Sequence, residues 1–174
     1  MSQLGRRERR GVAITSEAEV RAQLHDWELL FLLGMSFQLQ LRDFVAALDH
    51  AGFHELRPIH GLIFQAVNSG INTGSQIAAH IGVTKQAATL LLDELEEWGY
   101  VSREPHPAGG RRKLIVMTPR GIDHFTVAGR TLQDLERALA AKLSVPVTQQ
   151  LRASLIDLIA STSGGELPPF RPSW

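Results

Sequence analysis

SQIAAHIGVTKQAATLLLDELEEWGYVSREPHPAGGRRK runs from Ser75 to Lys113, and its reading decides the fold. Ser75 is positioned to cap a short helix to Ile81, along which Ile77, Ala78 and Ile81 recur at the spacing of one buried face. Gly82 supplies the left-handed residue needed for a sharp exit, and Val83 plugs the turn. Thr84 caps a second helix reaching about Trp98. Ala87, Ala88, Leu91, Leu92, Leu95 and Trp98 form its apolar side, while Lys85, Gln86 and Thr89 gather near its N-terminal end on another. Small residues at 87 and 88 let two helices cross closely.

Gly99 stops that helix. Tyr100, Val101 and Ser102 start a strand, Pro105 to Gly110 supplies turn residues, and Leu114 to Met117 forms the returning strand. The tip carries Arg111, Arg112 and Lys113. Short hydrogen-bonding side chains at a helix N-terminus suit the edges of bases in a major groove, and a basic hairpin tip suits phosphates or a minor groove. The segment is therefore a winged helix-turn-helix.

GVTKQAATLLLDELEEWGYVSR followed by GGRRKLIVMTPRG resembles the MarR family of dimeric winged-helix transcriptional regulators, from about His25 to about Ser161. The resemblance implies a homodimer that represses or activates nearby genes and is often released by a small molecule. It also implies a cleft for small aromatic acids near His60 and His124. The sequence departs from the family pattern in three places. Gly109 stands where an Asp usually precedes the wing Arg, here Arg111, and Leu90 and Glu94 stand where basic residues are common. Leu90 is then available to a thymine methyl.

The rest of the chain is read around this device. Its 174 residues suffice for a small domain plus dimerisation arms. With 44% apolar residues the class is globular, and the longest apolar run, Leu29 to Phe37, is too short to span a bilayer. MSQLGRRERRG has no apolar segment behind it, so a cytoplasmic protein is expected. The absence of Cys excludes thiol-based redox sensing. Eighteen basic residues balance eighteen acidic ones, which argues against strong non-specific polyanion binding. The charges are nonetheless segregated: Arg6, Arg7, Arg9 and Arg10 crowd one terminus, Arg103, Arg111, Arg112 and Lys113 the wing, and Asp93, Glu94, Glu96 and Glu97 the far end of the second helix.

The expected architecture is mainly α with a small β-hairpin wing, the winged helix-turn-helix being joined to long terminal helices that form a dimerisation domain. Residues 1–20 read as a flexible basic arm, either a DNA-backbone contact or a solvated tail. Residues 21–56 hold an N-terminal dimerisation helix, a single helix from about Glu19 to His50 that is apolar nearly all round and must be covered. Residues 57–117 form the DNA-binding domain, opened by Pro58, with Ile71 and Asn72 adding a short strand. Residues 118–162 hold the C-terminal dimerisation helices. The first of these is capped by Thr118 and striped by Ile122, Phe125, Leu132, Leu135 and Leu139, with Gly129 bending it or allowing a close approach. Residues 163–174 are a flexible tail.

Candidate DNA contacts are Ser75, Thr84, Lys85, Gln86, Thr89, Leu90, Arg103, Arg111, Arg112 and Lys113. Trp27, His60, Phe64 and His124 are candidate ligand contacts, against the alternatives of core aromatics and hydrogen-bonded or exposed histidines. No catalytic motif, cofactor or metal is expected: Gly52 interrupts the helix that would align His50 with His54. The expected partners are double-stranded DNA, a second copy of the chain and a small-molecule effector, with no membrane. A winged-helix module that binds a protein through the acidic helix end is the alternative function.

Overall fold

The computed structural model describes residues 16–105, 112–165 and 167. In chain order these form α1 (Glu17–Leu24), α2 (Leu29–His50), α3 (Pro58–Asn68), α4 (Gly74–Ile81), α5 (Lys85–Glu97), β1 (Val101–Pro105), β2 (Lys113–Met117), α6 (Pro119–Leu143) and α7 (Val145–Thr162). The fold is mainly helical with one antiparallel hairpin, as the sequence led us to expect. Two compact units, residues 1–40 and 41–174, divide the chain, and α2 runs through the boundary.

In the first unit, Ser16 and Glu19 form a reciprocal capping box: the Glu19 N–H donates to Ser16 Oγ at 3.2 Å and the Ser16 N–H to Glu19 Oε2 at 3.1 Å. Residues 17–20, expected in a flexible arm, are therefore helical, while residues 1–15 of that arm lie outside the described residues. The single helix expected from Glu19 to His50 is in fact two, broken over residues 25–28. His, Asp and Trp in succession have modest helix propensity, and His25 Nδ1 lies 2.8 Å from the Asp26 carboxylate instead of supporting the next turn. Trp27 sits in this break, edge-on to Phe31 at 6.5 Å. The first half of α2 exposes Leu29, Leu30 and Phe31.

The 22-residue α2, with an 18-residue stretch of mean hydropathy 1.3, is long and apolar enough to cross a bilayer, which corrects the view taken from Leu29–Phe37. The second half carries Arg42 and Asp43, paired at 2.9 Å, and packs Phe44 and Leu48 on the core of the second unit.

That core is built from Phe53, Leu56, Ile63, Phe64, Ala66, Ile77, Ile81, Leu92, Leu95, Tyr100, Val101 and Ile115. Pro58 takes the first turn of α3, and His60 Nδ1 accepts from the Arg57 N–H at 3.0 Å, acting as the capping side chain. The cap of α4 is Thr73 rather than Ser75: the Gln76 side chain reaches back to accept from the Thr73 N–H at 3.3 Å and from its hydroxyl at 2.6 Å. Gly82 is left-handed at φ 70°, and the Val83 N–H closes on the Ala78 carbonyl at 3.0 Å, giving the sharp turn into α5. Thr84 Oγ1 accepts from the Ala87 N–H at 3.2 Å, as a cap should.

The hairpin pairs Val101 with Met117 through to Pro105 with Lys113. Pro105, expected in the turn, ends β1, where the missing N–H costs no ladder bond inside the sheet. The extra strand expected at Ile71 and Asn72 is a single bridge, Thr73 to Leu114, with the Ile115 N–H donating to the Asn72 carbonyl at 2.7 Å.

The expected stripe on α6 needs correction. Phe125 packs on the core and Leu135 and Leu139 are half-buried, but Ile122 and Leu132 are exposed, and the fully buried positions are Gly121 and His124. Gly129 meets nothing within 4 Å, whereas a Cβ on Gly121 would lie 2.2 Å from the Tyr100 carbonyl oxygen. The close approach is one turn after the cap rather than mid-helix. Leu143, Val145, Val147, Leu151, Ile156, Leu158 and Ile159 leave an apolar surface running from the end of α6 along α7.

Candidate nucleic-acid interface

The local sequence places α5 with its apolar side down on α4 and the hairpin. Ala88, Leu92 and Leu95 are buried, and Lys85, Gln86, Thr89 and Leu90 are exposed on the first two turns. Ser75 and Thr84 are also exposed at the starts of their helices. The Thr89 hydroxyl donates to the Lys85 carbonyl at 2.9 Å. Arg112 and Lys113 are exposed where the hairpin returns, and Arg111, Gly109 and Gly110 lie outside the described residues.

The acidic half of α5 is tied to arginines. Arg103 on β1 pairs with Asp93 at 2.6 Å and with Glu96, and only 26% of its side chain is exposed. Burial would disfavour its charged form, but the hydrogen bond it donates to Asp93 and the field of both carboxylates outweigh this and hold its pKa above the usual value. The structure therefore places Arg103, expected as a DNA contact, in an intramolecular clamp between the hairpin and α5. Glu94 is held by Arg57, and His60 Nε2 lies 3.2 Å from the same carboxylate. Because Nδ1 accepts from the Arg57 N–H, Nε2 carries the proton toward Glu94. Burial pushes the pKa of His60 below the ordinary value, and the neutral ring satisfies both ends of this bridge.

Beneath the interface, Tyr100 joins the hairpin to α6. Its hydroxyl donates to Glu55 at 2.8 Å, the Arg120 guanidinium stacks 4.2 Å from its ring, and its carbonyl accepts from the Thr118 N–H at 3.0 Å. Burial and the Glu55 carboxylate push the phenol up to about 12. Burial would raise Glu55, but its own backbone N–H, the Tyr100 hydroxyl and Arg120 overcome this and hold it below the usual carboxylate range. Glu55, Arg57 and Arg120 are structural residues that sequence reading passed over, since each partner lies on a distant element and no local pattern marks the pair.

Of the candidate ligand residues, His60 and Phe64 have no exposure, and His124 is buried with Phe53 and Phe64 each 4.9 Å from its ring. Burial, then the neighbouring His60, holds His124 down at about 4, and its Nδ1 has no hydrogen-bond partner. These three are core aromatics of the second unit, whereas Trp27 belongs to the first.

Comparison with known proteins agrees with the geometry. A family model described as MarR family matches residues 62–112. An uncharacterized helix-turn-helix transcriptional regulator from Mycobacterium leprae is 31% identical over 67 residues, 38% of this chain and 47% of the relative. A riboflavin kinase from Thermoplasma acidophilum is 31% identical over 84 residues, 48% of this chain but 36% of the kinase. The chain thus spans less than half the length of the curated relatives it matches, and the partial kinase match carries no activity to it.

Three solved structures share the fold. A MepR point mutant from Staphylococcus aureus has TM-score 0.64 and 22% identity, covering 78% of this chain and 98% of that one. Another MepR mutant, bound to an oligodeoxyribonucleotide, has TM-score 0.56 and 22% identity, covering 78% and 99%. A MarR family protein of Mycobacterium tuberculosis in complex with salicylic acid has TM-score 0.59 and 24% identity, covering 76% and 97%. The helix-turn-helix and the first strand of its hairpin are thus similar to the MarR-family model over residues 62–112, and the chain shares the fold of these solved structures.

Proposed function

We propose that the protein is a cytoplasmic transcriptional repressor that binds a pseudo-palindromic operator as a homodimer and is released by a small aromatic acid. The observation that carries this reading is the exposed first half of α5, where Lys85 and Gln86 stand ready for phosphate and base while Arg57 and Arg103 offset part of the charge of the acidic half. Lys85, as a flexible ammonium, suits phosphate; Gln86, with an amide donor and acceptor, suits a base edge. Arg112, Lys113 and, by sequence, Arg111 supply the wing contacts, and an Arg entering an A·T-rich minor groove gains from its enhanced negative potential. Apolar side chains left exposed on α6, α7 and the first half of α2 support a dimerisation domain built from the terminal helices. The DNA-bound MepR mutant and the salicylic acid complex support the two ligand classes.

The test is a mobility shift of the purified protein on the DNA upstream of its own gene, with salicylate titrated in. A discrete complex that dissociates as salicylate rises is expected. A complex indifferent to every aromatic acid tried would remove the effector from the proposal, and no complex at all would remove the operator.

A further inference from the structure

The exposed face of α5 is chemically uneven in a way that bears on what it reads. Leu90 keeps 65% of its surface in water. An apolar side chain held there gains free energy only by contact with an apolar partner. Thr89 beside it has lost its polar function in part: its single hydroxyl proton is committed to the Lys85 carbonyl at 2.9 Å, which leaves a methyl group and an acceptor lone pair. One turn further on, Asp93 and Glu94 follow Thr89 and Leu90 at the i+4 positions, and both carboxylates are occupied by arginines, Asp93 by Arg103 and Glu94 by Arg57. Positions 89, 90, 93 and 94 thus offer no cation to a phosphate, and the two arginines offset part of the negative charge that would repel one.

We propose that Thr89 and Leu90 form an apolar reading edge for the 5-methyl group of thymine, beside Gln86, which fixes an adjacent base through its amide. The proposal rests on the DNA-binding reading above. The thymine methyl is the apolar group that a base pair presents in the major groove, and it stands among hydrogen-bonding atoms suited to an amide. Lys85 on the same exposed turns and the arginine-paired carboxylates make the surroundings of this apolar pair compatible with a polyanion, which argues for DNA over an apolar protein surface as its occupant.

The test replaces each thymine of the bound upstream DNA in turn by deoxyuridine, which removes the methyl and nothing else, and measures affinity by fluorescence anisotropy with the full chain. At one or two positions in each half-site the loss should be about fourfold, the worth of one buried methyl. Leu90→Ala should weaken binding to the thymine operator and lose its sensitivity to deoxyuridine at that position. Thr89→Val, which replaces the hydroxyl by a second methyl, should retain the deoxyuridine penalty at that position, whereas Thr89→Ser, which removes the methyl, should lose it. Both residues are exposed, so the variants should retain their helical circular dichroism. The proposal is overturned if no deoxyuridine substitution costs affinity, if Leu90→Ala keeps the full penalty, or if Thr89→Val loses the penalty where Thr89→Ser retains it. Failure of the wild type to bind any upstream DNA specifically would instead fell the DNA-binding reading, and this inference with it.

Discussion

His124 illustrates what one residue contributes. The ring is buried among Phe53, Phe64 and Tyr100, its Nδ1 unpartnered, and its pKa is held at about 4. A histidine depressed in the folded state binds a proton more readily when unfolded, so stability rises with pH between the folded value and the unfolded one near 6.5. As pH falls through that window the chain should lose on the order of 3 kcal/mol on this account, with His60 adding in the same direction. Glu55, depressed below the carboxylate range, adds its own loss only at lower pH. Urea unfolding at pH 7 and pH 4.5 should show this loss, and His124→Leu should flatten it; an unchanged slope in the variant would mean that His124 is not the group responsible. Nothing in the sequence marks this burial, because His124 stands next to Asp123 on a helix whose periodic apolar residues point elsewhere. Gly82, Thr84, Thr118 and Pro119 were legible for the opposite reason: their roles depend on the adjoining few residues.

At the scale of elements, α5 owes its setting to clamps from outside itself. Arg103 ties β1 to Asp93 and Glu96, and Arg57 with His60 ties α3 to Glu94. If Arg103 acts as a clamp that offsets part of the charge of two carboxylates, Arg103→Ala should weaken operator binding about tenfold or more by exposing them to phosphates, and Asp93→Asn with Glu96→Gln in the same chain should restore most of it. If Arg103 instead touches phosphate, those substitutions should restore little, because the contact remains lost. Anisotropy titrations of the three proteins decide between the two. The sequence placed Arg103 among the basic residues of the wing, since charge is visible in one dimension while its partner is not. The break at residues 25–28 was missed for a related reason: the apolar pattern continues through it, and only the local His25–Asp26 contact and the weak propensity of the three residues mark the interruption. The helix-turn-helix itself was legible because cap, glycine and apolar stripe all point to the same structure.

For the whole molecule, the proposed function assigns two surfaces to partners outside a single chain. One carries exposed apolar side chains from the end of α6 along α7, including Val147, Leu151, Ile156 and Ile159, and under the proposal a second copy of the chain covers it, as closed symmetry favours. The other combines the exposed turns of α5 with the wing. In a dimer, two such faces about one DNA turn apart, roughly 34–36 Å, would meet one operator. The neutral overall charge makes the salt response informative, because attraction to DNA must come from a local basic face and not from bulk charge. The most direct measurement is therefore an anisotropy titration of labelled upstream DNA against a scrambled duplex over a series of salt concentrations. The account predicts binding to the upstream DNA at least about a thousandfold tighter than to the scrambled duplex. It also predicts a log–log salt slope of about −5 or steeper, as expected when Lys85, Arg112 and Lys113 from two subunits neutralise phosphates. Equal affinity for the two duplexes, or a slope near zero, would contradict it.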